Sequence, residues 1–212
     1  MTENKEGEIK GDNIKVALLG DSGVGKTCII KRYTEEAFDE NSVPTQGASY
    51  FQKILEIENK TIILDMWDTA GQERYRSLGR RFYKEAFIVC LVYDITSSQS
   101  FENLKNIWYK ELKENGEKCT VLGIVGNKSD LYENEEVKYD DVMEFAKEVE
   151  ATFVLTSAKK GDNIDLLFDT LVRKYLGPEF TQKVQEMKNN KGEATKVTNS
   201  DGKSKHKKRK CC

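Results

Sequence analysis

The stretch Gly20-Asp21-Ser22-Gly23-Val24-Gly25-Lys26-Thr27 fits the pattern G-x-x-x-x-G-K-[ST]. Before it, Ile14-Lys15-Val16-Ala17-Leu18-Leu19 is a short apolar run that reads as a buried strand; after it, residues from Gly25 to about Glu35 read as a helix. A strand, a glycine-rich loop and a helix in that order are the context this pattern requires. Glycines let backbone N–H groups converge on phosphate oxygens, the helix start adds its positive dipole end, and Lys26 brings a point charge toward the β- and γ-phosphates. Thr27 can offer its hydroxyl oxygen to Mg²⁺, a hard cation that takes oxygen ligands beside phosphates. An accidental match in a chain of this length is expected about once in a hundred. The loop implies a nucleoside triphosphate and leaves the base open.

Strand-like runs recur outward from this loop. Tyr50 to Ile57 and Thr61 to Trp67 are joined at Glu58-Asn59-Lys60 as a hairpin, and Phe87 to Tyr93, Thr120 to Val125 and Thr152 to Leu155 follow. Between them, Phe101, Leu104, Ile107, Trp108 and Leu112 fall on one helical face, as do Val142, Phe145, Ala146 and Val149. Ile164, Leu167, Phe168, Leu171, Val172 and Tyr175 stripe a last helix. This alternation predicts an α/β, three-layer P-loop fold: six strands, mainly parallel, one antiparallel hairpin, helices on both faces. Ligands bind such sheets beyond the carboxyl ends of the strands.

Two further loops sit at such ends. Gly126-Asn127-Lys128-Ser129-Asp130 suits guanine: an in-plane carboxylate at Asp130 accepts from N1–H and the N2 amino group, donors that adenine lacks there. Asn127 can bond the Hoogsteen edge, the stem of Lys128 can cover a ring face, and the Ala158 N–H of Thr156-Ser157-Ala158-Lys159 can meet guanine O6. Asp68-Thr69-Ala70-Gly71-Gln72-Glu73 suits a γ-phosphate sensor. Asp68 would hold the Mg²⁺ sphere through water, Gly71 would offer its N–H to the γ-phosphate, and Gln72 would orient an attacking water. Thr45, after Pro44, is the candidate second hydroxyl ligand for Mg²⁺. Both loops would be ordered only by a γ-phosphate, which makes a switch.

Composition narrows the chemistry. The 212 residues carry 34 Lys plus Arg against 36 Asp plus Glu, and the one histidine is His206. Ser-His-Asp triads and His-ligated metal sites are thereby excluded. Of five cysteines, Cys28, Cys90 and Cys119 stand singly in apolar stretches, as small buried hydrophobes would, and Cys211-Cys212 end the sequence. The longest apolar run, Phe87 to Tyr93, is far short of the roughly 20 residues of a membrane span, and no secretory signal is expected. Lys203 to Lys210 holds six Lys or Arg and no acid, leaving 28 bases against 36 acids elsewhere. One domain is expected over residues 13–176. Residues 1–12 are expected to be a short disordered start, and 177–212 a flexible tail too poor in apolar groups to fold.

Taken in order, these motifs resemble those of a Ras-superfamily small GTPase, and more narrowly a Rab. The narrower resemblance rests on Trp67-Asp68-Thr69-Ala70-Gly71-Gln72-Glu73-Arg74-Tyr75-Arg76-Ser77-Leu78, on Leu91-Val92-Tyr93-Asp94-Ile95-Thr96 and on the terminal cysteine pair. It implies that Asp21, Ser22, Gly23, Val24, Gly25, Lys26, Thr27 and Cys28 surround the phosphates and that Phe38 stacks on guanine. It also implies base contacts from Asn127, Lys128, Asp130, Ser157, Ala158 and Lys159. Tyr50, Trp67 and Phe82 match the aromatic trio through which Rabs meet effectors, core packing being the other reading of these three. Cys211 and Cys212 would both carry geranylgeranyl groups. Departures are Gln46 where an aliphatic residue is usual, Pro44 before Thr45, and Phe82-Tyr83-Lys84-Glu85-Ala86 in place of Tyr-Tyr-Arg-Gly-Ala.

The expectation is a monomeric GTPase of vesicle traffic on the cytoplasmic face of endomembranes, cycling with the cytosol. Its partners would be an exchange factor, an activating protein, effectors and a prenyl-tail carrier. Gly47-Ala48-Ser49 is similar to the endocytic branch and favours endosomes. With Lys26 and Gln72 as the catalytic inventory and no arginine finger in cis, intrinsic turnover should be on the order of 10⁻⁴ s⁻¹. Competing classes are a metabolic P-loop phosphotransferase, for which no lid insertion is visible, and a binding-only pseudoenzyme, against which Gln72 and Thr45 speak. A nucleic-acid role for the basic tail is disfavoured by the acidic body.

Overall fold

The computed structural model describes residues 11–40, 43, 45, 47–57, 60–69, 83–116 and 119–177. Six strands form one sheet: β1 Asp12–Leu19, β2 Ala48–Ile57, β3 Lys60–Thr69, β4 Ile88–Asp94, β5 Val121–Asn127 and β6 Thr152–Leu155, in the spatial order β2-β3-β1-β4-β5-β6. Only the β2–β3 pair is antiparallel, with Ile57 opposite Lys60 at the hairpin end. The other four pairings are parallel, as the alternation of strands and helices predicts.

Helices cover both faces. One core gathers Ile14, Val16 and Leu18 of β1 under α1 (Lys26–Glu35) and the helix Ile164–Leu176. Ala17 and Leu19 of the same strand point into a second core with Phe101, Trp108 and Phe145. A strand buried on both faces reads as a near-continuous apolar run, which is why β4, and β1 apart from Lys15, were legible. The stripe Leu167, Phe168, Leu171 and Val172 is at most 1% exposed, and burying each such side chain contributes about 1.5–3 kcal/mol. Phe168 stacks on Tyr33 of α1 with ring centroids 4.2 Å apart.

The helix between β4 and β5, α2, departs from the simple period. Ser98–Asn103 is α-helical, Leu104–Tyr109 is a π turn and Lys110–Asn115 is α-helical again, and the three run on as one rod. Ser97 caps it by accepting from the Ser100 N–H. Tyr139–Glu148 is α3, Ile164–Leu176 is α4, and a 3₁₀ turn over Ser129–Asn134 follows β5. Three strands extend past their expected ends, β4 by the single residue Asp94. β3 runs through Asp68 and Thr69, and β5 through Gly126 and Asn127. The polar additions are tolerated because they are bonded: Thr69 Oγ1 donates to Leu18 O at 2.7 Å. No helix among the described residues is long and apolar enough to cross a membrane.

Candidate nucleotide site

The loop from β1 to α1 is shaped by close approaches that only glycine allows. A Cβ on Gly20 would lie 2.2 Å from the Val92 carbonyl oxygen of β4. Gly25, at φ 97°, is the left-handed residue that starts α1, and a Cβ there would lie 2.3 Å from Asn127 Nδ2. Within this loop Lys26 is 5% exposed, and its Nζ donates to the carbonyl oxygens of Gly20 and Asp21, each at 2.8 Å. Burial pulls its pKa down to about 8, against the opposing charges of Asp68 and Asp21.

Three segments meet beside this lysine. Thr27 Oγ1, at the start of α1, donates to Asp68 Oδ2 at 2.6 Å. Thr45 Oγ1 lies 2.8 Å from Thr27 Oγ1 and 3.3 Å from the same Oδ2. Asp68 is fully buried, and its other oxygen, Oδ1, has no hydrogen-bond partner. Burial pushes its carboxyl above the ordinary carboxylate range, partly offset by the Thr27 hydroxyl and the Lys26 charge. Two hydroxyls and a carboxylate with one orphaned oxygen form an all-oxygen donor set that fits Mg²⁺. Among the described residues no cluster of three His, Cys, Asp or Glu side chains gathers, so such an ion would rely on phosphate and water for its remaining ligands.

A cleft of about 460 Å³ opens over these groups, lined among others by Ser22, Gly23, Gly25, Lys26, Thr27, Cys28, Phe38, Thr45, Asn127, Lys128, Asp130, Ala158 and Lys159. Its far end is the base-reading end. Asp130 Oδ1 accepts from Ser157 Oγ at 2.5 Å, and Ser157, itself fully buried, holds the carboxylate from behind. Lys128, left-handed at φ 66°, pairs through Nζ with Asp94 Oδ2 at 2.6 Å, which pins its stem along the cleft. Phe38 lies at the mouth, with the Arg32 guanidinium 5.8 Å from its ring centroid.

Asn127 lines the cleft and also bridges two loops. It is 2% exposed; Nδ2 donates to Val24 O at 2.9 Å, and Oδ1 accepts from the Ala158 N–H at 3.2 Å and from Thr156 Oγ1 at 3.3 Å. Its side chain braces the phosphate loop against the Thr156–Lys159 loop, and the bond to Val24 O uses one of the two Nδ2 hydrogens, leaving the other for a ligand in the cleft. The side chains of Asp21, Val24 and Ser157 are not in the cleft lining: Val24 and Ser157 are buried, and the Asp21 side chain turns toward α2. Arg32 escaped sequence reasoning. It donates through Nε to Ala158 O at 2.8 Å and through Nη2 to Lys159 O at 2.9 Å, 126 and 127 residues away. Asp94 was visible only as part of a family motif.

Tyr50 and Trp67 sit side by side on the β2–β3 hairpin, rings 5.2 Å apart, with Tyr50 49% exposed and bonded to Asp65 at 2.6 Å. Tyr50 is therefore no core residue. Gly71, Gln72, Phe82, Pro44, Gln46, the Glu58-Asn59 turn, Cys211 and Cys212 lie outside the described residues.

Fold and cleft together define a P-loop nucleotide-binding domain. Comparison with known proteins narrows this. The Ras family profile matches residues 15–177. Ras-related protein Rab-22A of Homo sapiens is 44% identical over 161 residues, 76% of this chain and 82% of that protein. Ras-related protein Rab-31 of Mus musculus is 45% identical over 168 residues, covering 78% and 86%. Ras-related protein Rab-13 of Canis lupus familiaris is 40% identical over 162 residues, covering 76% and 79%. The chain belongs to the Ras family and, within it, to the Rab small GTPases.

Proposed function

We propose that this chain is a guanine-nucleotide switch of vesicle-mediated membrane traffic, binding GTP and GDP with Mg²⁺ and slowly hydrolysing GTP. The observation that carries it is the convergence on one cleft of Lys26, Thr27 and Thr45 at one end and of Asp130, Lys128 and Ala158 at the other, with Asp68 buried beneath. Lys26 offers a desolvated cation to the β- and γ-phosphates, where low dielectric strengthens it. Bound Mg²⁺ would neutralise charge on those oxygens, held by Thr27 and Thr45 directly and by Asp68 through water. Gln72 orients the attacking water and Gly71 donates its N–H to the γ-phosphate. Asp130, held by Ser157, selects guanine.

Hydrolysis then releases the Thr45 and Gly71 segments, and effectors read the change at Tyr50, Trp67 and Phe82. An activating protein, an exchange factor and a carrier for the prenylated tail complete the cycle. Cys211 and Cys212 supply two lipid chains, since one anchors only marginally, and each Lys or Arg of the Lys203–Lys210 segment adds about 1 kcal/mol at an anionic leaflet. The relatives' names and the Gly47-Ala48-Ser49 segment support an endomembrane address, with endosomes first. The deciding experiment is a titration of the magnesium-supplied protein with fluorescent GDP and GTP against ATP. Strong guanine preference is expected; equal affinity for ATP overturns the reading. Loss of membrane pelleting in Cys211→Ser/Cys212→Ser tests the anchor.

A further inference from the structure

The phosphate loop is tied to helix α2 by a single side chain. Asp21 turns its carboxylate away from the cleft, and each oxygen takes one donor: Asn103 Nδ2 on Oδ2 at 2.6 Å and Trp108 Nε1 on Oδ1 at 2.7 Å. The same residue's carbonyl accepts from Lys26 Nζ at 2.8 Å. A continuous chain of bonds therefore runs from α2 through Asp21 to the ammonium that serves the phosphates.

The helix is deformed where this happens. Asn103 and Trp108 are five residues apart, and in an ordinary α-helix at 3.6 residues per turn such a pair diverges by about 140°. The π turn over Leu104–Tyr109 replaces the usual ladder by one closing five residues on. Positions five apart then stack on one face, and both donors reach one carboxylate. Trp108 is 3% exposed and locked in the second core, so its N–H is held rigidly. Each bond to an ionised acceptor is of the stronger kind.

We propose that Asn103 and Trp108 are positioning residues for the phosphate chain of the nucleotide, acting through Asp21, and that the π turn exists to align them. The inference rests on reading the cleft as a guanine-nucleotide site. Trp108→Phe keeps an aromatic ring in the core but removes the N–H together with part of the indole, so its packing cost is read separately by urea denaturation; Asn103→Ala removes the other donor. The measurement is the affinity of full-length protein for GDP and for GMP, by competition against fluorescent GDP, alongside the GDP release rate. Each variant should release GDP about tenfold faster and lose about tenfold in GDP affinity, with GMP affinity nearly unchanged, because the base end is untouched. In an Asp21→Asn background the two substitutions should add little further.

A general loosening of the fold lowers GDP and GMP affinity together; that result, or an unchanged GDP-to-GMP ratio, overturns the inference while leaving the nucleotide site standing. A parent protein that binds neither nucleotide overturns the site, and the inference with it.

Discussion

The hydroxyls of Thr27 and Thr45 stand 2.8 Å apart and converge on one acceptor, Asp68 Oδ2, although they belong to segments 18 residues apart. This joins the start of α1, the loop before β2 and the end of β3 at one point beside the orphaned Asp68 Oδ1. Substituting Thr27→Asn replaces the shared hydroxyl by a bulkier amide and damages the geometry of a Mg²⁺ ligand. GTP should be weakened more than GDP if, as in the proposed switch, the second hydroxyl and the γ-phosphate are engaged together only in the triphosphate state. A nucleotide-exchange assay in which both affinities fall equally would contradict that role for the hydroxyl pair.

Gln72→Leu keeps the size of the side chain and removes its ability to orient water. The variant should hold GTP with parental affinity while single-turnover hydrolysis, expected on the order of 10⁻⁴ s⁻¹ in the parent, falls to a small fraction of the parent's rate. Parental hydrolysis in this variant would transfer the water-orienting role to another group.

Gly25→Ala adds a methyl group where φ is 97° and where the Asn127 amide lies 2.3 Å away. The left-handed backbone alone costs about 1–2 kcal/mol for a residue with a Cβ, and Asn127 must give up its bond to Val24 O. Stability should fall by at least that amount, and GDP binding should be lost more completely than stability, measured by urea denaturation and by nucleotide titration. A variant that binds GDP as the parent does would show that Asn127 can retreat without disturbing the bridge.

Much of this architecture was legible because buried parallel strands announce themselves as apolar runs, as Phe87 to Tyr93 does. The ends of β3 and β5 were not. Asp68, Thr69 and Asn127 are polar, and what keeps them in extended, buried backbone is bonding to distant partners such as Leu18 O and Val24 O. The apolar spacing of Phe101, Leu104, Trp108 and Leu112 showed a helix, but periodicity does not encode a one-residue widening of its ladder. Within the site, Lys26, Thr27 and Asp130 were readable because each lies in a short local motif, and the fold brings all three to one cleft. Arg32, Asp94, Asn103 and Trp108 act through other residues, and that role exists only once the chain has folded. Asn127 carries both kinds of role: it was singled out for a base contact, and the fold adds a bracing one through Val24 O and the Ala158 N–H that no local pattern shows.

Asp130→Asn exchanges an acceptor-only carboxylate for an amide that also donates. Guanine then loses an acceptor for its N1–H and amino donors, whereas xanthine, with a carbonyl at C2, gains a donor. GTP affinity should drop at least about a hundredfold and xanthosine triphosphate should become the better ligand. Ser157→Ala removes only the hydroxyl behind Asp130 Oδ1 and should cost about tenfold in GTP affinity without inverting the preference. Competition binding separates the two, and an unaltered base preference in Asp130→Asn would remove this carboxylate from base recognition.

The buried Cys90 thiol and the partly buried Cys119 thiol should erode the stability of the domain at alkaline pH. Burial pushes the Cys90 thiol up to about 12 and the Cys119 thiol to about 11, from an unfolded value of 9.0. Burial raises Tyr33 and Tyr93 as well. Above pH 9 the unfolded chain therefore releases protons that the folded chain retains. The stabilisation is complete below pH 9 and is lost as pH rises toward 11 and 12. Lys26, lowered from 10.5 to about 8 by burial, acts in the opposite sense between pH 8 and 10.5, against the two thiols from pH 9 and also the two tyrosines from pH 10. Urea midpoints should decline steadily from pH 9 upward. Cys90→Ala removes one of the titrating groups, so its decline should be shallower by up to about 1.4 kcal/mol per pH unit, even though the missing sulfur lowers its stability at neutral pH. If parent and variant lose stability in parallel across this range, the Cys90 thiol is not among the groups that erode stability at alkaline pH.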